Sequence, residues 1–396
     1  MNLANRLKAI KPSPTLALNA KAKALAAQGV DVVSLAAGEP DFDTPEHIKQ
    51  AAVEALRQGF TKYTPTAGIL ELREAICGKL ERDNRLTFAP DQVLVSVGAK
   101  QAIYNTFQAL LNEGDEVIIL APYWVSYPEM VQLAGGKPVI VETREENGFA
   151  PEPDAIRRAL SPRTKAIVLN SPSNPSGAVF SRVALEGIAQ AVRGHECLVI
   201  SDDIYEKLLY QGEFLNLGNV APDLFSRLVV INGMSKAFSM TGWRMGYAAG
   251  PKWLIAGMQI IQDQSTSNAA SFVQKAALAA LEGPQDIFVP MVEEYRGRRD
   301  IVVDALNSME GVSCRRPEGA FYVLPNVSGL MGRTYKGAPL TGSMQISELL
   351  LNDFRVAAMP GAPFGVEGYI RMSFATSREQ LRKGLERFHE FVASTR

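Results

Sequence analysis

The sequence predicts an α/β protein: a mainly parallel sheet sandwiched by helices in a large domain, with a smaller α/β domain beside it. Three observations predict it. From Gln92 onward the chain repeats short β-branched apolar runs, polar loops and helical stretches, the pattern of a parallel sheet with helical crossovers. At Gly283-Pro284 the pattern changes to a long charged helix and then to short strands, which marks a domain boundary. The chain has 396 residues, 46% hydrophobic and 21% charged, enough for two ordinary cores. The expected division is 45–284 for the large domain, with 1–44 and 285–396 forming the small one.

In chain order, Thr15 to Ala27 carries apolar residues at helical spacing and ends at Gly29, a C-cap residue. Asp31 to Ala36 reads as a strand leading into the irregular Gly38-Glu39-Pro40-Asp41-Phe42. Thr44-Pro45-Glu46 is a helix start with a hydroxyl cap, and that helix runs to about Gln58. A loop from Gly59 to Gly68 precedes a helix reaching about Arg82. Strands follow at 93–97, 117–120, 165–170, 197–201 and 228–231, the last stopped by Asn232-Gly233. The C-terminal part has a helix over roughly 286–309 and strands at 319–324, 354–357 and 369–374. Its last helix is capped by Ser377, with Gln380 completing a capping box.

Charge and composition exclude several classes. Formal net charge is −1, so no basic face points to nucleic acid or an anionic membrane. Cys77, Cys197 and Cys314 lie far apart, and the three histidines are scattered. That argues for a reducing compartment, without disulfides or a metal centre. A polar N-terminus and the lack of any membrane-length apolar run suggest a cytoplasmic enzyme. A full GxGxxG is missing, which counts against a dinucleotide-binding protein. A regulator on a related scaffold would need a DNA-binding domain, and neither the length before Gly38 nor a basic recognition helix supplies one.

Right-handed crossovers bring the C-terminal ends of all parallel strands to one edge, where ligands bind. Four polar clusters, besides Lys236, each follow such a strand. Gly98-Ala99-Lys100 opens a helix, either as a tight turn or as an anion site. Asp202, with Tyr205 three residues on, is a cap or a carboxylate and phenol presented together. Trp124 is a core aromatic or a ring that stacks on a flat ligand, and Asn174 a turn former or an amide donor. Lys236 follows the buried 228–231 run, where desolvation would make its neutral amine a nucleophile suited to Schiff-base chemistry, or else it is a surface lysine. Arg244 and Arg371 sit among apolar neighbours, and a buried guanidinium calls for an anion. Together these parts fit pyridoxal 5′-phosphate.

The motifs AAGEPDFDTPEHI, TKYTPTAG, VGAKQAIYN, APYWVSYPEM, NSPSNPSGAV, SDDIYE, SKAFSMTGWRMGY, GAFYVL and YIRMSFA, in this order, resemble the class I aminotransferases of fold type I. Within that family the resemblance is to the bacterial aspartate aminotransferases of the Iβ kind. It implies that Lys236 carries the cofactor and shuttles the proton, that Asp202 pairs with its ring nitrogen, and that Tyr205 and Asn174 bind its ring oxygen beneath Trp124. Gly98, Ala99, Lys100, Ser235 and Arg244 would surround the phosphate, with Tyr63 reaching in from a second subunit of a homodimer. Arg371 would clamp the substrate α-carboxylate, helped by Gly38, Trp124 and Asn174, while Lys100 and Thr15 would bind a distal carboxylate. The implied reaction moves the amino group between L-aspartate and 2-oxoglutarate, with prephenate as an alternative substrate and a lyase on the same fold as a further one. One departure stands out: many relatives have a serine three residues before the lysine, where this chain has Gly233.

Overall fold

The computed structural model describes residues 3–8, 10 and 14–396. A seven-stranded sheet forms its centre: β1 (Val93–Ser96), β2 (Glu116–Ala121), β3 (Lys137–Glu142), β4 (Thr164–Asn170), β5 (Leu198–Asp202), β6 (Leu228–Gly233) and β7 (Gly246–Ala249). The spatial order is β1-β7-β6-β5-β4-β2-β3. Strands β2 to β6 pair in parallel with one another, whereas β7 runs antiparallel to both β1 and β6. The period-two alternation of a strand divides the apolar residues between two cores. Val93, Val95, Ile118, Ile167 and Val199 face one cluster, while Leu94, Val117, Ile119, Val168 and Ile200 face the other. Helices Ala99–Leu110 and Lys252–Asp263 cover the second face through Phe107 and Met258.

Two of the seven strands are not foreseen by the sequence pattern. Strand β3 is an edge strand that leaves most of its residues partly or fully exposed, so its charged ends resemble a loop. Strand β7, Gly-Tyr-Ala-Ala, lacks the β-branched residues that signal a strand. It also corrects the reading of Asn232-Gly233 as the end of a ladder: both residues stay in β6 and pair with Tyr247 and Gly246. The absence of a side chain on Gly233 permits this, because a Cβ there would stand 2.8 Å from the Gly246 Cα. The same crowding leaves no room for a serine at position 233.

The N-terminal segment joins the C-terminal third, since Val33–Ser34 pairs in parallel with Val356–Ala357. A three-stranded antiparallel sheet sets Ile370–Ser373 between Met359–Pro360 and Tyr322–Val323. Helix Phe288–Asn307 is the long charged one, and helix Arg378–Ala393 closes the chain. The Ser377 hydroxyl caps the last helix at the Gln380 N–H, which is half of the expected box. Helix Glu46–Arg57 starts without a side-chain cap, contrary to the role expected for Thr44. The Thr44 hydroxyl instead donates to the Ser239 carbonyl at 2.8 Å and accepts from the Trp243 indole at 3.1 Å. It ties the start of that helix to the loop after Lys236.

Candidate active site

Strands β4, β5 and β6 end side by side, with Asn170 opposite Asp202 and Asp202 opposite Ile231. Their loops open into a cavity of about 570 Å³. Of the residues singled out from the sequence, Gly38, Ala99, Lys100, Trp124, Asn174, Asp202, Tyr205, Ser235, Lys236, Arg244 and Arg371 line it. Segments up to 335 positions apart in the chain therefore meet at one place, as in the contact of Arg371 with Ala36.

Lys236 stands just past the end of β6, part-buried at the cavity. Its Nζ donates to the Gly38 carbonyl and lies 5.7 Å from the ring centroids of both Tyr205 and Phe321. Burial, reinforced by the positive charge of Arg371, pulls the ammonium pKa down to about 8. Asp202 is 4% exposed, and burial pushes its carboxyl up to about 6, against the lowering effect of a hydrogen bond from Tyr127. A cationic ring nitrogen placed against this carboxylate would reverse that shift.

In the same cavity Arg371 is 5% exposed and has no carboxylate partner among the described residues. Its Nη1 donates to Asn174 Oδ1 at 3.0 Å and its Nη2 to the Ala36 carbonyl at 2.7 Å, while its buried Nε has no partner. The guanidinium lies 4.5 Å from the Tyr322 ring centroid. A desolvated cation with an idle donor fits an anionic ligand. The bond to Arg371 also occupies the Asn174 oxygen, which turns the amide nitrogen to other work. Asn174 is itself held by the Asn170 side chain, whose Nδ2 donates to the Asp202 carbonyl at 2.9 Å.

A cradle for a second anion lies at the N-terminal end of helix Ala99–Leu110. Gly98 occupies the cap position with φ +86°, a conformation suited to glycine. A Cβ on Gly98 would meet Arg244 Nη2 at 2.7 Å, and one on Gly246 would meet the Ala99 amide nitrogen at 2.3 Å. Free N–H groups of the first turn and Arg244 thus meet at a tightly packed, glycine-favouring backbone, and Ser235 lines the same cavity. Lys100 lies at the cavity wall, exposed by surface area, with its Nζ 4.9 Å from the Trp124 ring centroid, and partial desolvation by the wall together with the charge of Arg244 lowers its pKa.

Tyr63 is 92% exposed and outside the cavity, and the side chain of Thr15 lies outside the described residues. Among the cavity residues not selected from the sequence are the polar Asn170, Tyr127, Tyr322 and Glu39. Tyr322 shares a hydrogen bond of 2.9 Å with the Tyr205 hydroxyl, and Glu39 accepts from Thr241 at 3.1 Å. For Asn170, Tyr127 and Glu39 the signal is position alone, within a few residues of Asn174, Trp124 and Gly38, whereas Tyr322 is marked only by lying in the GAFYVL motif. Among the described residues no group of histidine, cysteine or acidic side chains is arranged to hold a metal, and no helix is long and apolar enough to cross a membrane.

Comparison with known proteins agrees with this geometry. The family model described as aminotransferase class I and II matches residues 30–388. An aspartate/prephenate aminotransferase of Thermus thermophilus is 51% identical over 389 residues, covering 98% of this chain and 97% of its own. An aspartate aminotransferase of Geobacillus stearothermophilus is 46% identical, covering 99% of each chain. Among solved structures, the aspartate aminotransferase of Rhizobium meliloti matches with a TM-score of 0.97 at 41% identity over 100% of both chains. The Thermus thermophilus enzyme with maleate matches at 0.92 and 49% identity, covering 98% of this chain and 99% of its own. A part-buried amine, a buried carboxylate and a guanidinium with no carboxylate partner among the described residues thus come with a family match over most of the chain, and the chain belongs to the class I and II aminotransferases.

Proposed function

We propose that the cavity holds pyridoxal 5′-phosphate and that the protein moves the α-amino group between L-aspartate and 2-oxoglutarate in a ping-pong cycle. The observation that carries this reading is that Lys236, Asp202 and Arg371, one part-buried amine, one buried acid and one buried guanidinium, surround a single cavity. When bound, the cofactor supplies an electron sink for negative charge at the substrate Cα. Lys236 would hold its aldehyde carbon, Asp202 its ring nitrogen, Tyr205 and the Asn174 amide its ring oxygen, and Trp124 its face. Gly98, Ala99, Ser235, Lys100 and Arg244 would hold its phosphate.

With a pKa near 8, Lys236 carries a neutral fraction at neutral pH, and its Nζ can accept the proton from the substrate Cα. The idle Nε and the outer face of Arg371 would take the α-carboxylate, with Gly38 and Asn174 beside it. Lys100 and Thr15 would meet the distal carboxylate. The maleate in the Thermus thermophilus structure is a dicarboxylate, which supports such a pair of charge contacts. A second reading, prephenate as an additional substrate, is favoured by the apolar wall that Ala22, Ala26 and Val32 add to the cavity, and by the name of the 51% identical relative.

The working form would be a homodimer in which Tyr63 completes the neighbouring site. Its exposure, and that of Val53, Leu56, Trp253 and Ile260, supports a covered face. A net charge of −1 and three scattered free cysteines support work in the cytoplasm on amino and oxo acids, without nucleic acid or membrane partners. The test is a set of half-reactions of the yellow enzyme with aspartate, glutamate, prephenate and phenylalanine, followed by absorbance. Fast bleaching by aspartate is expected, and no response to aspartate or glutamate refutes the reading.

A further inference from the structure

Tyr127 has no role in the reading above, yet it is the closest hydrogen-bond partner of the Asp202 carboxylate. It lies in helix Ser126–Leu133, is 1% exposed, and its hydroxyl donates to Asp202 Oδ2 at 2.6 Å. The other carboxylate oxygen has only a long contact, 3.4 Å from the Ile204 N–H. Rotation of the carboxylate about its Cβ–Cγ bond is therefore set by Tyr127. The ring of Tyr127 also meets Trp124 edge-on, with centroids 5.2 Å apart and an interplanar angle of 83°. One residue thus touches both the acid and the aromatic face of the cavity.

We propose that Tyr127 is a positioning residue for amino transfer: its phenol fixes the orientation of Asp202, favours the anionic form of that acid, and leaves Oδ1 free for the cofactor's ring nitrogen. The inference rests on the reading of Asp202 as the partner of that nitrogen. Burial and the neighbouring Asp202 hold the Tyr127 phenol well above its usual titration range, so it remains a donor at every working pH. The charged and titratable groups that face Asp202 are Tyr127 from its helix, Tyr205 from the following turn and Lys236 from the turn after β6. Replacing Tyr127 by phenylalanine keeps the ring packing, leaves Tyr205 and Lys236 in place and removes one donor. Without that donor Asp202 protonates more readily, so its titration moves upward.

The test compares the parent, Tyr127→Phe and Asp202→Asn, each as the full chain. Holoenzyme kinetics with aspartate give kcat and KM. Cofactor-free protein is titrated with pyridoxamine 5′-phosphate, which cannot condense with Lys236, over about pH 5 to 9, a range that spans the Asp202 titration. In Tyr127→Phe, kcat should fall roughly ten- to thirtyfold with little change in KM. The midpoint at which acid weakens pyridoxamine phosphate binding should rise by about one pH unit, and affinity should approach the parent value at the alkaline end. Asp202→Asn should lose more activity and show no such midpoint. An unchanged midpoint and kcat in Tyr127→Phe, with both lost in Asp202→Asn, overturns the role of Tyr127 and leaves the site reading intact. Binding that is equally weak at every pH in Tyr127→Phe also overturns it, since that is the mark of a merely structural defect. Parent-like behaviour of Asp202→Asn overturns the reading of Asp202 itself, and the inference with it.

Discussion

Lys100→Met separates substrate recognition from cofactor binding. Lys100 is exposed, has no carboxylate in ion-pair range among the described residues, and holds its ammonium 4.9 Å from the Trp124 ring centroid. Its charge is therefore available to an incoming anion. Methionine keeps an unbranched stem over Trp124 and removes only the charge. A water-exposed ion pair is worth up to about 1 kcal/mol, and a charge-assisted hydrogen bond in a dry site roughly 1.5–3 kcal/mol. Lys100 begins exposed and would be partly covered by substrate, so about 1–2 kcal/mol is expected, a five- to thirtyfold loss in kcat/KM for aspartate. Phenylalanine offers no second carboxylate and should lose less than about twofold on the same scale. Because the contact is exposed, rising ionic strength should narrow the difference between parent and variant for aspartate. The assay is kcat/KM for aspartate, glutamate, prephenate and phenylalanine at low and high salt. An equal loss for all four would assign Lys100 to the phosphate or the fold and refute the substrate role.

Three further outcomes follow from the geometry. The Lys236 pKa falls from 10.5 in an unconstrained chain to about 8 when folded, so the folded, cofactor-free protein binds this proton less tightly than the unfolded chain. The charged amine thus costs stability below pH 8, and the cost fades as pH rises toward 10.5. Lys236→Met should stabilise the cofactor-free protein against urea by about 3 kcal/mol at pH 7, and a difference that does not shrink at alkaline pH contradicts this. Gly246→Ala drives a Cβ into the backbone of Gly98 and Ala99 and should cost about 3 kcal/mol or more in the same assay. Gly98→Ala meets only the movable end of Arg244 and should cost about 1–2 kcal/mol while weakening cofactor retention; equal stability of the two variants would be inconsistent with the packing. Mixing Lys236→Ala chains with Tyr63→Phe chains should restore activity through hybrids that hold one intact site, and no recovery despite proven subunit exchange counts against shared sites.

Much of the site was legible because its residues are anomalous where they stand. Lys236 just beyond an apolar strand and Arg371 inside one are charges that a core does not tolerate without a ligand, so the sequence alone marks them. The rule that parallel strands end on one edge then assembled the loops after β4, β5 and β6 without coordinates. What stayed hidden depends on partners distant in the chain. Tyr127 looks like any core aromatic until Asp202, 75 residues away, is seen to accept a hydrogen bond from its hydroxyl. Thr44 resembles a cap until Ser239 and Trp243, nearly 200 positions on, take its hydroxyl. Strand β7 is hidden for a related reason: Gly246 is small because Ala99 approaches it, and the need for smallness removes the residues that advertise a strand.

The most direct test of the whole reading is the covalent position of the cofactor. The purified enzyme is reduced with borohydride, digested, and its peptides mapped by mass spectrometry. A pyridoxyl group on Lys236, at one per chain, is the predicted result. The label on any other lysine, or no stoichiometric label, would contradict the role of Lys236 and of the cavity built around it.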